Sequence, residues 1–160
     1  MSVVLQLLQT LASAEKSVRE KGEAEYERMK KDEKDLPLGL LEVVMNQQDQ
    51  EDLASARMLA LVLLRRLVVG NGDQDSAYRS LSESSQILLK NNLLACLSNH
   101  PDSRVRERIC DIVGELSGYV LEQNEWPEIV SFCASCVSST SEEVIETGIK
   151  LLGTFVCVLI

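Results

Sequence analysis

Asp52-Leu53-Ala54-Ser55-Ala56-Arg57-Met58-Leu59-Ala60-Leu61-Val62-Leu63-Leu64-Arg65-Arg66-Leu67-Val68-Val69 is the stretch on which the fold turns. Leu53, Ala56, Leu59, Ala60, Leu63, Leu64 and Leu67 recur at the i, i+3, i+4 spacing of one helical face. Met58, Leu61 and Val62 add apolar mass to its flank. A helix so apolar on several sides belongs between neighbours, because one partner cannot cover it. Arg65-Arg66 near its end suits the negative pole of a helix, and Gly70-Asn71-Gly72 breaks it.

Working upstream, Val3 to Ala12 carries Val4, Leu5, Leu7, Leu8 and Leu11 on helical spacing. Ala14 to about Lys31 is a polar helix whose narrow stripe is Val18, Gly22, Ala24, Tyr26 and Met29. Its charges are balanced, with 8 acids against 7 bases between Ala14 and Asp35, as on a solvated face laced by i,i+4 pairs. Leu36-Pro37 opens a short helix, Leu38 to Met45, and Asn46 to Gln50 reads as a turn.

Downstream, Asp73 to Ser80 reads as a polar connector. A helix from about Glu83 to Ser98 carries Ile87, Leu88, Leu94, Cys96 and Leu97. After the turn Asn99-His100-Pro101-Asp102, Ser103 to Leu121 puts Val105, Ile109, Ile112, Val113, Leu116 and Val120 on one face. Trp126-Pro127 starts the next helix, which runs to about Val137. Ser138 to Ser141 is a turn, Thr140 and Glu143 have capping-box spacing, and a last helix begins at Glu142. Gly22, Gly114 and Gly118 fall inside helices, where each costs about 1 kcal/mol relative to Ala unless it permits close helix contact.

These segments pair. The second helix of each pair starts near Glu15, Glu51, Ser103 and Glu142, at spacings of 36, 52 and 39 residues. The wide spacing contains the Gly70 to Leu81 connector; without about a dozen of its residues it returns to the roughly 40-residue period of HEAT and armadillo repeats. Two-helix units of this kind cannot bury their apolar faces alone and therefore stack. The expected fold is all-α, an α-α superhelix (a HEAT/armadillo-like solenoid) of about four helix pairs, spanning 1-35, 36-80, 81-123 and 124-160. Gly148 to Ile160 is strongly apolar where an end repeat would be polar, so the chain is expected to be cut from a longer solenoid.

Composition narrows the function. The chain has 160 residues, 45% hydrophobic and 26% charged, with a net charge of −9. That field repels nucleic acid and anionic membranes and attracts a basic protein, so neither nucleic acid nor a membrane is an expected partner. The N-terminal apolar segment is short and lacks a basic leader, and no apolar stretch reaches the roughly 18 residues of a membrane span. Five cysteines (Cys96, Cys110, Cys133, Cys136 and Cys157) lie at irregular spacing within apolar runs, as buried thiols do.

Two stretches carry a resemblance. Ala56-Arg57 leading to Leu64-Arg65-Arg66-Leu67 is similar to the second helix of repeat two in importin-beta family nuclear transport receptors. Val105-Arg106, Ile109-Cys110-Asp111-Ile112, Glu115-Leu116 and Asn124-Glu125-Trp126-Pro127-Glu128 resemble the next repeat and its Trp-Pro junction. Glu23-Ala24-Glu25-Tyr26-Glu27 resembles the first repeat's inner helix, and the nearest branch is the importin-five type. The resemblance implies a non-enzymatic receptor that shuttles between cytoplasm and nucleus. It implies Ran-GTP bound by inner helices, phenylalanine-glycine nucleoporins bound by outer helices, and cargo bound mainly by repeats further along. It implies no cofactor.

Candidate Ran contacts are the charged residues opposite the apolar stripes. They are Glu20, Glu23 and Glu27 on the first inner helix, Arg57, Arg65 and Arg66 on the second, and Arg104, Glu107, Asp111 and Glu115 on the third. The blander reading of each is a solvated helix face. Cys133-x-x-Cys136 has the spacing of a metal or redox pair, but zinc needs four ligands and the lone histidine, His100, sits in a turn. Packing is the simpler reading of both cysteines, helix capping of His100, and burial at a repeat junction of Trp126. No G-x-S-x-G, H-E-x-x-H or Walker motif supports catalysis. The competing function is a HEAT scaffold subunit of another assembly, such as a phosphatase; it leaves the Leu-Arg-Arg and Trp-Pro order unexplained.

Overall fold

The computed structural model describes residues 2–46, 51–70, 76–120 and 125–159. Residues 47–50 of the expected turn, residues 71–75 of the expected connector, Leu121 to Asn124 and the side chains of 156–160, Cys157 among them, lie outside the described residues. The described residues form helices and no strand: α1 (Val3–Leu11), α2 (Lys16–Asp32), α3 (Leu36–Met45), α4 (Glu51–Val69), α5 (Ala77–Ser80), α6 (Glu83–Asn99), α7 (Ser103–Val120), α8 (Pro127–Val137) and α9 (Glu142–Leu159). They divide into two compact units, residues 1–89 and 90–160.

In the first unit α1 packs on α2, and α3 on α4, while α1 also meets α3 and α4. Leu8, Leu40, Leu41, Val44, Ala60, Leu64 and Val68 are fully enclosed. Burying a leucine or valine side chain contributes about 1.5–3 kcal/mol, so this cluster dominates the unit's cohesion. The deciding helix, α4, buries Leu53, Ala56, Ala60, Leu63, Leu64 and Leu67 as its spacing predicts, while Leu59, on the same stripe, is only half-buried. Its flank divides: Leu61 is buried, but Val62 is 46% exposed. Pro37 stands in the first turn of α3, where the missing N–H costs nothing.

The expected polar connector before α6 needs correction. Ser76 caps a single helical turn by accepting the Tyr78 N–H at 3.2 Å, and its hydroxyl donates to the Val68 carbonyl. Tyr78 is fully buried and Leu81 nearly so. One aromatic ring, too isolated to make a period, draws the segment inward. Gly70, at φ 62°, ends α4 in the left-handed conformation that glycine takes without penalty.

In the second unit α8 packs on α9, and α7 on α9. The α7 stripe of Val105, Ile109, Ile112, Val113, Leu116 and Val120 is buried throughout, as spaced. The face of α6 is rotated from expectation. Leu89, Leu93, Cys96 and Leu97 go inside, while Ile87 and Leu88 stay about half exposed. The runs Ile87-Leu88-Leu89 and Leu93-Leu94 offer apolar residues on every side, so spacing alone does not choose a face.

The helix hairpins close in related ways. Gly22, seventh in α2, and Gly148, seventh in α9, each lie against the last turn of the preceding helix. A Cβ at Gly22 would stand 3.1 Å from the Leu11 nitrogen, and one at Gly148 would stand 2.7 Å from Cys136 Cβ. The seventh residue of α4 is Arg57, whose Nε donates to the Asn46 carbonyl at 2.9 Å. Gly114 lies against Thr154 of α9, with 3.2 Å for a Cβ there. No helix among the described residues is long and apolar enough to cross a membrane.

Candidate functional site

The α7 stripe forms the best-defined surface. Arg104, Glu107, Asp111 and Glu115 follow one another at three- and four-residue steps, which puts them on one side of the helix. Glu107 is exposed, and Asp111 and Glu115 are half-exposed. Two intramolecular partnerships define the stripe's geometry. Arg104 turns back to Asp102, 3.0 Å away, and its hydrogen bonds hold the Asp102 carboxyl below the usual range. Asp111 Oδ1 accepts the Lys150 ammonium of α9 at 2.7 Å.

The space between α7 and α9 is a groove of about 260 Å³, lined by Ser103, Arg106, Glu107, Cys110, Glu143, Glu146, Thr147 and Lys150. Arg106 spans it. Its guanidinium donates to the Glu143 carboxylate and to the carbonyls of His100 and Pro101, so one side chain ties the α6–α7 turn to the start of α9. Glu143 therefore serves α7 across the groove, a role the Thr140–Glu143 spacing did not suggest. Partial burial opposes the charge on Lys150, but the hydrogen bond and charge of Asp111, with Glu107 nearby, hold its ammonium above the ordinary lysine range. Arg106, Glu143, Glu146 and Lys150 were missed in the sequence. The available signal was two cations and two acids at fixed steps on helices chosen for their apolar faces.

On α2, Glu20, Glu23 and Glu27 are exposed on a common side, and Glu20 faces Lys16 at 3.6 Å. Burial pushes the Tyr26 phenol up, Glu27 adds to this, and Arg66 opposes it. The α4 arginines do not make one patch. Arg57 is at the hairpin end of the helix, whereas exposed Arg65 and Arg66 lie about 12 Å along its axis, at 1.5 Å per residue.

Other candidates resolve toward packing. Cys133 and Cys136 are buried free thiols. Among the described residues no group of three or more His, Cys, Asp or Glu side chains could hold a metal. His100 is 3% exposed, and its Nδ1 accepts the Asp102 N–H at 3.1 Å, which closes the turn ahead of α7. Trp126 is 1% exposed just before Pro127, so it anchors the start of α8 from within. A second cleft, about 520 Å³, lies by the α6–α7 and α8–α9 turns, with Leu97, Phe132, Cys136 and Val144 among its apolar walls.

This architecture of paired helices is the HEAT-repeat solenoid of the karyopherins. Yeast importin-beta, Kap95p, also solved in complex with Nup1, superposes with a TM-score of 0.81 at 17% identity, over 97% of this chain and 19% of its own. Kap121p bound to RanGTP gives 0.73 at 20% identity, over 98% of this chain and 14% of its own. The family described as IPO5-like, TPR repeats matches residues 101–159. A probable importin-5 homolog of Dictyostelium discoideum is 29% identical over 114 residues, covering 71% of this chain and 10% of that protein. These likenesses all point to importin-beta-type receptors, the family match being to the importin-5-like group over residues 101–159.

Proposed function

We propose that this chain is the N-terminal part of a nuclear import receptor and that its second helices bind Ran in the GTP form. The observation that carries the reading is the acidic, accessible stripe Glu107, Asp111 and Glu115 on α7, in a chain that shares its fold with Kap121p, a protein bound to RanGTP. The net charge of −9 favours a basic partner surface over an acidic one. Glu20, Glu23 and Glu27 on α2 extend the same chemistry, and Arg57, Arg65, Arg66 and Arg104 complement acidic groups of the partner. Nucleoporins are the second partner, by likeness to Kap95, which forms a complex with Nup1. Cargo would be held by repeats further along a longer receptor, which shuttles between cytoplasm and nucleus.

The test is capture of the chain on beads bearing Ran loaded with GTP, Ran loaded with GDP, or phenylalanine-glycine nucleoporin segments. Retention on Ran-GTP and nucleoporin, with less on Ran-GDP, is expected. Charge reversal by Asp111→Lys with Glu115→Lys is expected to weaken Ran-GTP binding at unchanged helicity, by about 2 kcal/mol if both acids meet cations. Unchanged affinity would remove the α7 stripe from the interface, and retention on neither Ran form would favour a scaffold role.

A further inference from the structure

The groove between α7 and α9 already contains a cation, and the chain supplies it. Lys150 reaches from α9 to within 2.7 Å of Asp111. Glu107, one turn before Asp111 on α7, and Glu146, one turn before Lys150 on α9, line the same groove. Asp111 thus holds the ammonium at the groove's edge, Glu107 acts on it through its charge, and Glu146 lines the same wall as Lys150, while Arg106 and Glu143 neutralise each other beside them. Glu107 and Glu146 form no ion pair among the described residues. The groove keeps about 260 Å³ of open space next to the pair, enough to admit a second long side chain.

We propose that Lys150 is a tethered stand-in for a lysine or arginine of the protein partner: it holds Asp111 in the free chain and swings out when the partner's cation enters the groove. This rests on the reading of the α7 stripe as a Ran-GTP surface. The exchange is physically cheap. The Lys150 side chain is 45% exposed and that of Asp111 32%, so the pair is only partly desolvated and contributes little of the kind that locks a buried pair. A lysine ammonium is a strongly hydrated point charge on a flexible stem, and it regains its water on leaving. An incoming cation meets a place that already holds a cation, with Glu107 and Glu146 on the groove wall as further carboxylates that form no direct ion pair with Lys150. A tethered competitor lowers apparent affinity by the fraction of time it occupies the site. The pair is therefore a built-in brake on partner binding, and it biases the groove toward partners whose cation out-competes a lysine.

The measurement is the Kd of Ran-GTP for the wild-type chain, Lys150→Met, Lys150→Arg, Asp111→Asn and the Asp111→Asn/Lys150→Met pair, with helicity followed by circular dichroism. Lys150→Met is expected to tighten binding about two- to fivefold, the scale of an exposed ion pair. Lys150→Arg keeps the charge but binds the carboxylate through a planar fork, so it is expected to weaken binding. With Asp111 amidated, Lys150→Met is expected to have no effect. If the wild type binds but Lys150→Met does not tighten it, the inference fails and the Ran reading stands. If Lys150→Met tightens binding while Lys150→Arg equals wild type, the effect is one of net charge and the inference also fails. If neither the wild type nor any variant binds, the Ran reading fails and takes the inference with it.

Discussion

The cysteines show how much one residue's surroundings decide. Cys96, Cys110 and Cys133 are free and enclosed, and each thiol is pushed up to about 11, chiefly by burial; at Cys110 the Lys150 charge opposes the rise and Asp111 adds to it. A thiol is reactive only as thiolate, so these are poor nucleophiles near neutrality. Alkylation by iodoacetamide at pH 8 is expected to run roughly a hundredfold slower in the native chain than in urea, as a shift of about two pH units implies. Rapid native labelling at Cys96, Cys110 or Cys133 would contradict this. The same shift makes a statement about stability. The folded pKa lies above the ordinary 9, so the contribution is complete below pH 9 and is lost as pH rises toward 11. The Cys-x-x-Cys spacing was legible in the sequence. That both side chains turn into a helix interface was a matter of phase on α8, which one short helix does not reveal.

Among the elements, the hairpin ends carry the most information. Gly22 and Gly148 hold the same place in the first and last pairs, and Arg57 holds it in the second, where it reaches the carbonyl at the end of α3. The glycines are not lapses in helix propensity but the points where a second helix leans on the first. Gly148→Ala gains about 1 kcal/mol of helix propensity but forces a Cβ against Cys136 Cβ at 2.7 Å, both anchored to backbone. Overpacking costs about 1–3 kcal/mol, so a net loss is expected, read as a lower urea midpoint at unchanged m. A variant as stable as wild type would mean that α8 and α9 separate freely. Helix bounds were legible within a few residues because caps and periods are local. The buried face of α6 was not, since Ile87, Leu88 and Leu89 compete for it and only the neighbours choose. The turn at α5 escaped because Tyr78 makes no pattern alone.

At the scale of the whole molecule, charge governs encounter. A chain carrying −9 attracts a basic partner over a distance set by the ionic atmosphere. Raising salt from about 50 to 500 mM is expected to slow association with Ran-GTP about tenfold or more, with a smaller change in dissociation. An association rate indifferent to salt would assign recognition to apolar contact. The candidate surface was half legible at this scale. The α7 stripe follows from helical steps, but its company does not. That Asp111 is held by Lys150, and that Arg106 rather than Arg104 bridges to Glu143, depends on how α9 lies beside α7.

Sequence alone determined that this chain is built of helices that pack in antiparallel-type succession, and that it is strongly acidic. Apolar spacing, caps and turn residues act over a few positions, so they are written where they act. Tertiary structure decided which α6 face goes inside, why glycines stand within helices, and that Asp111 of α7 already holds a cation from α9. Those outcomes depend on side chains distant in sequence meeting across an interface, and a period does not encode the phase at which two helices touch.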